Sequence, residues 1–211
     1  MTGQTDVEHL VTDEALAHAC AVLRAGGVVA FPTETYYGLA VDPFNQAALS
    51  RLFALKGRSP DKPVLLIVDN PSHLSSLVME IPPAFTILMQ KFWPGPLTLV
   101  FPGVASLPEM LIGYRGTIGA RVSSHPVARQ LVRGFGRPIT ATSANLSGHP
   151  AAVTASGVLD QLGSEVDAVL DGGETPGGQG STILGYQEGK VCLLRAGVIP
   201  FAQIEAVLAG A

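Results

Sequence analysis

Hydrophobic positions that recur every three or four residues predict amphipathic helices at several places along the chain. The first helix is expected to begin near Thr12 or Asp13, both residue types that cap helix N-termini, and to end at the Gly26-Gly27 pair. A second is expected to be capped by Asn45 and to end near Gly57. Further helical patterns cover residues 71–79, 83–92, 125–133 and 154–162, and Pro200 is expected to open a final helix.

Short apolar runs between these helices predict strands. They cover residues 28–31, 64–68, 97–101, 117–122, 138–142, 166–170, 181–184 and 191–194. Helices and strands alternate without long runs of either, which predicts an α/β fold with a substantially mixed sheet. Because the sequence has no internal repeat and no clear linker, residues 1–211 are expected to form a single domain.

The composition excludes several classes of protein. Hydrophobic residues are 47% and charged residues 14% of the 211 positions, whereas a disordered chain combines low hydrophobicity with high net charge. The two cysteines, Cys20 and Cys192, rule out a disulfide framework and agree with a reducing compartment. Prolines interrupt the apolar stretches, so no membrane helix is expected. The acidic start at Asp6 and Glu8 argues against a secretory signal, and we expect a cytoplasmic protein.

Charge is unevenly distributed along the chain, although the net charge is only −4. Residues 110–159 contain five arginines and no acid, and residues 160–189 contain six acids and no lysine or arginine. The arginines are either scattered over the surface or partly directed at an anionic ligand, and the sequence does not decide between these alternatives. A chain with a net negative charge is not expected to coat nucleic acid.

The common nucleotide-binding and catalytic motifs are absent from the sequence. The Gly189-Lys190 pair is followed by valine and therefore cannot belong to a phosphate-binding loop of the usual kind. No G-x-G-x-x-G, G-x-S-x-G or H-E-x-x-H motif occurs. A nucleotide site would have to be built in another way.

Two polar segments lie where predicted elements end. Residues 32–38, Pro-Thr-Glu-Thr-Tyr-Tyr-Gly, follow the 28–31 strand directly, so they could bind a small polar molecule or form an ordinary turn. Lys56-Gly57-Arg58 lies at the expected end of a helix, where the helix dipole favours cations. The same two cations could instead clamp a phosphate.

Two further segments combine small and polar residues. In residues 141–148, Ser143 and Asn145 are two positions apart and would face the same side of an extended chain, although such residues also favour turns. Residues 172–182 contain five glycines, which either permit close approach of a ligand or form a surface loop. Arg121 ends an apolar strand and needs an anion or solvent beside its charge.

Taken together, these segments resemble the YrdC-like family. The motifs P-T-E-T-Y-Y-G-L, K-G-R, T-I-G-A-R, T-S-A-N-L-S-G, G-S-T and L-L-R-A-G occur in the order and spacing of that family, from about residue 26 to residue 200. Each motif alone is weak, but six in order are specific. The resemblance is to the short, single-domain form of the family.

The resemblance implies a nucleotidyltransferase that forms threonylcarbamoyl-AMP and pyrophosphate from L-threonine, bicarbonate and ATP, with Mg²⁺ accompanying the ATP. It implies a twisted sheet flanked by helices and a positively charged concave cavity. Members serve tRNA modification next to the anticodon, so tRNA threonylcarbamoyl-transfer proteins are expected partners, and direct tRNA binding is compatible with that role. Two alternatives stay open: an RNA-binding or ribosome-assembly protein of the same fold, and a paralogue with other carbamoyl-adenylate chemistry.

The resemblance also assigns roles to individual residues. The family's catalytic tetrad corresponds to Lys56, Arg58, Ser143 and Asn145. Its L-threonine positions correspond to Thr33, Leu65, Arg121, Ser143 and Ser181. Its ATP positions correspond to Lys56, Arg58, Pro60, Thr117, Asn145, Thr154 and Arg195. No residue is expected to bind a metal ion. Lys56 and Arg58 are expected to lie near the surface, so that their replacement by alanine leaves the fold intact.

The chain departs from the usual family residues beside these motifs. Tyr36 stands in place of a valine, and Ser59, Ser123 and Thr142 stand in place of prolines. We expect these changes to affect loop conformation and affinity more than the reaction.

Overall fold

Helices and strands alternate along the chain, as the hydrophobic pattern predicts. The computed structural model describes residues 11–57 and 64–210. The α helices are α1 (Asp13–Arg24), α2 (Gln46–Lys56), α3 (Pro83–Phe92), α4 (Glu109–Ile112), α5 (Pro126–Phe135), α6 (Ala155–Leu162) and α7 (Phe201–Ala209). The strands are β1 (Val29–Pro32), β2 (Tyr37–Ala40), β3 (Leu65–Ile67), β4 (Leu97–Pro102), β5 (Thr117–Arg121), β6 (Ile139–Thr140), β7 (Thr142–Ser143), β8 (Ala168–Val169), β9 (Thr182–Gln187) and β10 (Lys190–Arg195). Short 3₁₀ helices cover Pro71–Ser76 and Gly163–Glu165.

The strands form two mixed sheets, whereas the sequence pattern indicated a single one. A four-stranded sheet has the order β7-β2-β1-β8, and a six-stranded sheet has the order β10-β9-β4-β5-β3-β6. Parallel and antiparallel pairs occur in each: β1 is antiparallel to β2 and parallel to β8, and β5 is antiparallel to β4 and parallel to β3. The mixed α/β class predicted from the sequence is confirmed.

The chain passes from one sheet to the other at Ala141. The sequence predicts one strand over residues 138–142, but the structure divides this stretch into β6 and β7, which belong to different sheets. Thr140 stabilises the crossing, because its hydroxyl accepts from the Val41 N–H at 2.9 Å and donates to the Leu39 carbonyl at 3.2 Å. The crossing sets Ser143 opposite Gly38 of β2.

Side-chain caps begin the first two helices where the sequence predicts them. The Thr12 hydroxyl accepts from the Ala15 N–H at 3.2 Å, and the Asn45 amide oxygen accepts from the Ala48 N–H at 3.1 Å. Helix α2 ends at Gly57, which has a φ of +54° in the left-handed region that glycine adopts without strain. This ending places Lys56 in the last turn of the helix.

The apolar side chains form two clusters. The larger includes Phe85 of α3 and Phe101 of β4, whose rings meet edge to face with centroids 5.2 Å apart. The smaller packs Leu23 of α1 and Leu131 of α5 against Phe31 of β1. In the part of the chain that the structure describes, no helix is both long and apolar enough to cross a membrane.

Three elements differ from the sequence prediction. Strand β2 follows the 33–36 turn at once, and its four residues, one of them glycine, gave no strand signal. The predicted helix over 71–79 is a 3₁₀ helix that ends at Ser76, after which Val78 bridges Gly103. Helix α4 lies in a stretch that the pattern left without an element.

Candidate functional site

Residues from both sheets line one cavity of about 1080 Å³. The four-stranded sheet contributes residues of β2 and β7, and the six-stranded sheet contributes residues of β3, β4, β5, β9 and β10. Eight of the residues singled out in the sequence line it: Thr33, Leu65, Thr117, Arg121, Ser143, Asn145, Ser181 and Arg195. Side chains that are as much as 162 positions apart, Thr33 and Arg195, therefore share one space.

The turn between β1 and β2 is held together by its own threonines. The Thr33 hydroxyl donates to the Tyr36 carbonyl at 2.7 Å and accepts from the N–H groups of Thr35 and Tyr36 at 3.2 and 3.3 Å. The hydroxyls of Thr33 and Thr35 lie 3.1 Å apart. The segment is thus an ordinary hydroxyl-stabilised turn and, at the same time, part of the cavity wall.

Lys56 lies against the loop that carries Ser143 and Asn145. Its ammonium group contacts the carbonyl oxygens of Ser143 and Asn145 at 2.6 and 2.8 Å, the Asn145 amide oxygen at 2.7 Å and the Ser143 hydroxyl at 3.4 Å. Lys56 is only 4% exposed, so the expectation that it lies near the surface is wrong. These contacts order the loop, because an ammonium group removed from water needs oxygen partners of this kind.

Ser143 and Asn145 contact each other, as their spacing predicts. The Ser143 hydroxyl donates to the Asn145 amide oxygen at 2.6 Å, and the Asn145 amide nitrogen donates to the His149 carbonyl at 2.5 Å. Both residues line the cavity, whereas Lys56 stands behind them. Arg58 and Pro60 lie outside the described residues.

The far wall of the cavity carries a serine, a threonine and an arginine in contact. The Arg195 guanidinium donates to the Ser181 carbonyl at 2.7 Å and to the Ser181 hydroxyl at 3.1 Å, and that hydroxyl lies 2.8 Å from the hydroxyl of Thr98. Burial, and secondly the charge of Arg121, lower the pKa of Arg195. The two arginines are close enough to repel each other, so an anion between them would be stabilised.

Arg121 ends β5 and is 6% exposed. Its Nε atom lies 3.1 Å from Oε1 of Glu34. The other carboxylate oxygen of Glu34 accepts from the Ser123 hydroxyl. The sequence indicated that Arg121 needs an anion, and within the protein that anion is Glu34.

Thr154 caps a helix, whereas the resemblance implies that it binds ATP. Its hydroxyl caps α6 by accepting from the Gly157 N–H at 3.1 Å. It does not belong to the lining of the cavity. The assignment of Thr154 to ATP binding therefore stays a prediction, and in the structure its hydroxyl caps a helix.

Several lining residues were not singled out in the sequence. Arg115, His149 and Gln179 all face the cavity. Arg115 belongs to the acid-free arginine block, which was the signal available for it. His149 and Gln179 lie in loops whose path depends on contacts distant in sequence, and no local pattern marks them.

The described lining of the cavity contains three arginines and several hydroxyl groups. It includes Arg115, Arg121 and Arg195, and no aspartate or glutamate is among the described residues that line it. The described residues also contain no group of three metal-ligating side chains. Such a lining suits anions and small hydroxylated molecules, and it does not suit a metal ion held by the protein itself.

Comparisons with known proteins identify a family and relatives that this chain resembles. The family model Sua5/YciO/YrdC, described as telomere recombination, matches residues 21–197. A threonylcarbamoyl-AMP synthase of Pyrococcus abyssi is 36% identical over 208 residues, which cover 99% of this chain and 61% of the relative. One of Vibrio cholerae is 44% identical over 161 residues, which cover 75% of this chain and 86% of the relative.

A solved structure extends the likeness to three dimensions. The crystal structure of P. abyssi Sua5 complexed with L-threonine matches with a TM-score of 0.88 and 38% identity, over 91% of this chain and 56% of that one. The chain thus spans less than two thirds of the length of the archaeal relative.

Proposed function

The chain belongs to the Sua5/YciO/YrdC family, and from that premise we propose that it is a threonylcarbamoyl-AMP synthase, which joins L-threonine, bicarbonate and ATP. The observation that carries the proposal is that Arg121, Arg195, Thr33 and Ser181 line one and the same cavity. The likeness to a Sua5 protein that binds L-threonine supports the same substrate here.

At the amino-acid end, Arg121 is the group that would bind the threonine carboxylate. A guanidinium presents parallel N–H donors that match a carboxylate, which a lysine cannot do. The hydroxyls of Thr33 and Ser181 are the candidates to recognise the threonine side chain, and Leu65 would contact its methyl group. A polar partner left unpaired by valine would give strong discrimination against that amino acid.

At the nucleotide end, the reaction must overcome repulsion between anions. The threonine amine and bicarbonate give a carbamate with loss of water. A carbamate oxygen then attacks the α-phosphorus of ATP, forming the new P–O bond as pyrophosphate leaves. Because both reactants are negative, preorganised cations lower the barrier. Arg195 and Arg115 are the described cations in position for this, and Thr117 and Asn145 add polar contacts.

The tetrad residues contribute in two ways in this proposal. Lys56 orders the loop and so holds Ser143 and Asn145 towards the substrates. Arg58 and Pro60, predicted from the family motif, would act on the nucleotide from the segment beyond α2. We propose that Mg²⁺ enters as part of the substrate, on the phosphates of ATP, since none of the described residues that line the cavity is a carboxylate.

The product is an activated acyl-adenylate, which another protein must consume. We propose that tRNA threonylcarbamoyl-transfer proteins take it up, and that residues 1–211 work as one domain in the cytoplasm.

Pyrophosphate release tests the proposal. The protein is incubated with Mg·ATP and bicarbonate together with L-threonine, L-serine or L-valine, and pyrophosphate is measured over time. We expect release that requires bicarbonate and is roughly a hundredfold or more faster with threonine than with valine. Release that is equal with valine, or independent of bicarbonate, would refute the assignment. Salt-sensitive RNA binding without pyrophosphate release would favour the RNA-binding alternative.

A matched pair of variants tests the role of Arg121 in the same assay. We expect Arg121→Lys to raise the KM for threonine about tenfold or more, since the charge stays but the two-pronged contact is lost. Arg133→Lys is the control, because Arg133 is exposed and pairs with Asp69 away from the cavity. Equal KM values for both variants would contradict the role given to Arg121.

A further inference from the structure

Glu34 stands behind the cavity wall with its carboxylate turned towards Arg121. Its neighbours Thr33 and Thr35 line the cavity, whereas Glu34 itself does not. Oε1 of Glu34 lies 3.1 Å from Nε of Arg121, with side-chain exposures of 10% and 7%. Neither atom has a hydrogen-bond partner among the described residues, so the contact is an ion pair shielded from water. Shielding makes such a contact stronger than a surface pair.

The second carboxylate oxygen of Glu34 is also held. It accepts from the hydroxyl of Ser123, which is fully buried, and the same hydroxyl accepts from the His125 N–H at 3.2 Å. This chain thus fixes both oxygens of Glu34 by partners 87 and 89 positions away.

Glu34 contacts the guanidinium of Arg121 at its Nε edge. Arg121 lines the cavity, and its two terminal nitrogens have no hydrogen-bond partner among the residues that the structure describes. A guanidinium held at Nε keeps those two nitrogens as a parallel pair of donors. Burial, and secondly the charge of Arg121, lower the pKa of Arg195, and the negative charge of Glu34 beside Arg121 offsets the repulsion between the two arginines.

We propose that Glu34 is a positioning residue that, anchored by Ser123, fixes the guanidinium of Arg121 so that its two terminal nitrogens bind the carboxylate of the amino-acid substrate. This role rests on the proposed function. Glu34 touches no substrate in it and acts through Arg121 alone. Its loss is therefore expected to weaken amino-acid binding and to leave nucleotide binding unchanged.

Calorimetric titration of three variants with L-threonine and with Mg·ATP tests the proposal. Glu34→Gln keeps the shape and removes the charge, Ser123→Ala removes the anchor, and Asp69→Asn is the control, since it removes an acid that pairs with exposed Arg133. We expect Glu34→Gln to weaken threonine binding about tenfold and Ser123→Ala to weaken it less, because a charged partner contributes more than its neutral support. ATP affinity is expected to stay within about twofold in all three.

A proton NMR titration of His125 verifies that the carboxylate is charged and in place. Burial lowers the pKa of His125, and the charge of Glu34 raises it in part. Glu34→Gln is therefore expected to lower that pKa further, whereas Asp69→Asn leaves it unchanged. A merely structural loss in Glu34→Gln would instead weaken threonine and ATP binding equally.

The outcomes separate the two proposals. If the wild-type protein binds threonine and Glu34→Gln binds it equally well, or loses both ligands in parallel, the role of Glu34 is wrong and the proposed function stands. If the wild-type protein binds no threonine, the proposed function fails and the role of Glu34 fails with it.

Discussion

Lys56 shows how a residue that resembles a catalytic group can serve the structure of its site. Its ammonium group contacts four oxygens of Ser143 and Asn145 and is almost fully buried. Removing it takes a charged donor from these oxygens; the Asn145 amide oxygen keeps the Ser143 hydroxyl and the Ser143 carbonyl keeps the Asn145 N–H, and the loss of a charged hydrogen bond is costly in a buried site. An activity loss in a Lys56 variant is therefore expected to combine a disordered loop with any lost charge.

Urea unfolding of Lys56→Met checks this role. We expect the free energy of unfolding to fall by about 2 kcal/mol or more, because buried acceptors lose a charged donor. Lys91→Met is the matched control, since Lys91 is exposed at the end of α3 and its replacement should change little. Unchanged stability in Lys56→Met would mean that the loop does not depend on the ammonium group.

The sequence predicts some contacts at this scale and not others. Ser143 and Asn145 are two positions apart in an extended segment, and their side chains do meet. The pair of Glu34 with Arg121 spans 87 positions and depends on how β1 and β5 are placed in different sheets. The spacing of residues along the chain does not predict how the two sheets are placed relative to each other. The sequence indicated only that Arg121 needs an anion or solvent beside its charge.

The segment that follows β10 packs closely against the backbone of residues 180–182. Gly197 permits this contact because it has no Cβ. A Cβ added to Gly197 would overlap the Gly180 carbonyl, the Thr182 nitrogen and the Ser181 carbonyl carbon. The sequence left open whether the glycines of residues 172–182 admit a ligand or form a surface loop; Gly197, which follows them, admits the backbone of its own chain. That contact lies just before β9, at Ser181, whose carbonyl accepts from Arg195.

Replacing Gly197 by alanine tests this arrangement. We expect a loss of roughly 2 kcal/mol in the free energy of unfolding, since backbone atoms cannot move aside as a flexible side chain can. Gly210→Ala serves for comparison, because its Cβ would come no closer than 3.6 Å to another atom and should be tolerated. Equal melting temperatures for the two variants would show that the 180–182 backbone is free to shift.

Secondary-structure elements were predicted correctly where the hydrophobic pattern is long and a capping residue marks its start. The caps Thr12 and Asn45 mark helix starts in both the sequence and the structure. Strands β6 and β7 were merged because each has only two residues and no turn signal separates them. Short strands are defined by their partners more than by their own residues.

For the molecule as a whole, the cavity follows from having two sheets. A single sheet would have put Ser143 of β7 and Arg121 of β5 on one continuous surface, whereas the crossing at Ala141 makes them line a shared hollow. The hydrophobic pattern predicts the class of fold but carries no information on how many sheets the strands form. The resemblance of ordered motifs was therefore the stronger guide to the site.

A crystal structure of the protein with L-threonine and a non-hydrolysable ATP analogue would show whether one cavity seats both substrates. We expect both ligands in the cavity described above, the threonine carboxylate on the terminal nitrogens of Arg121, and the phosphates on the side of Arg195. Density for either ligand outside this cavity, or a threonine carboxylate bound away from Arg121 while the nucleotide occupies the site, would contradict this expectation.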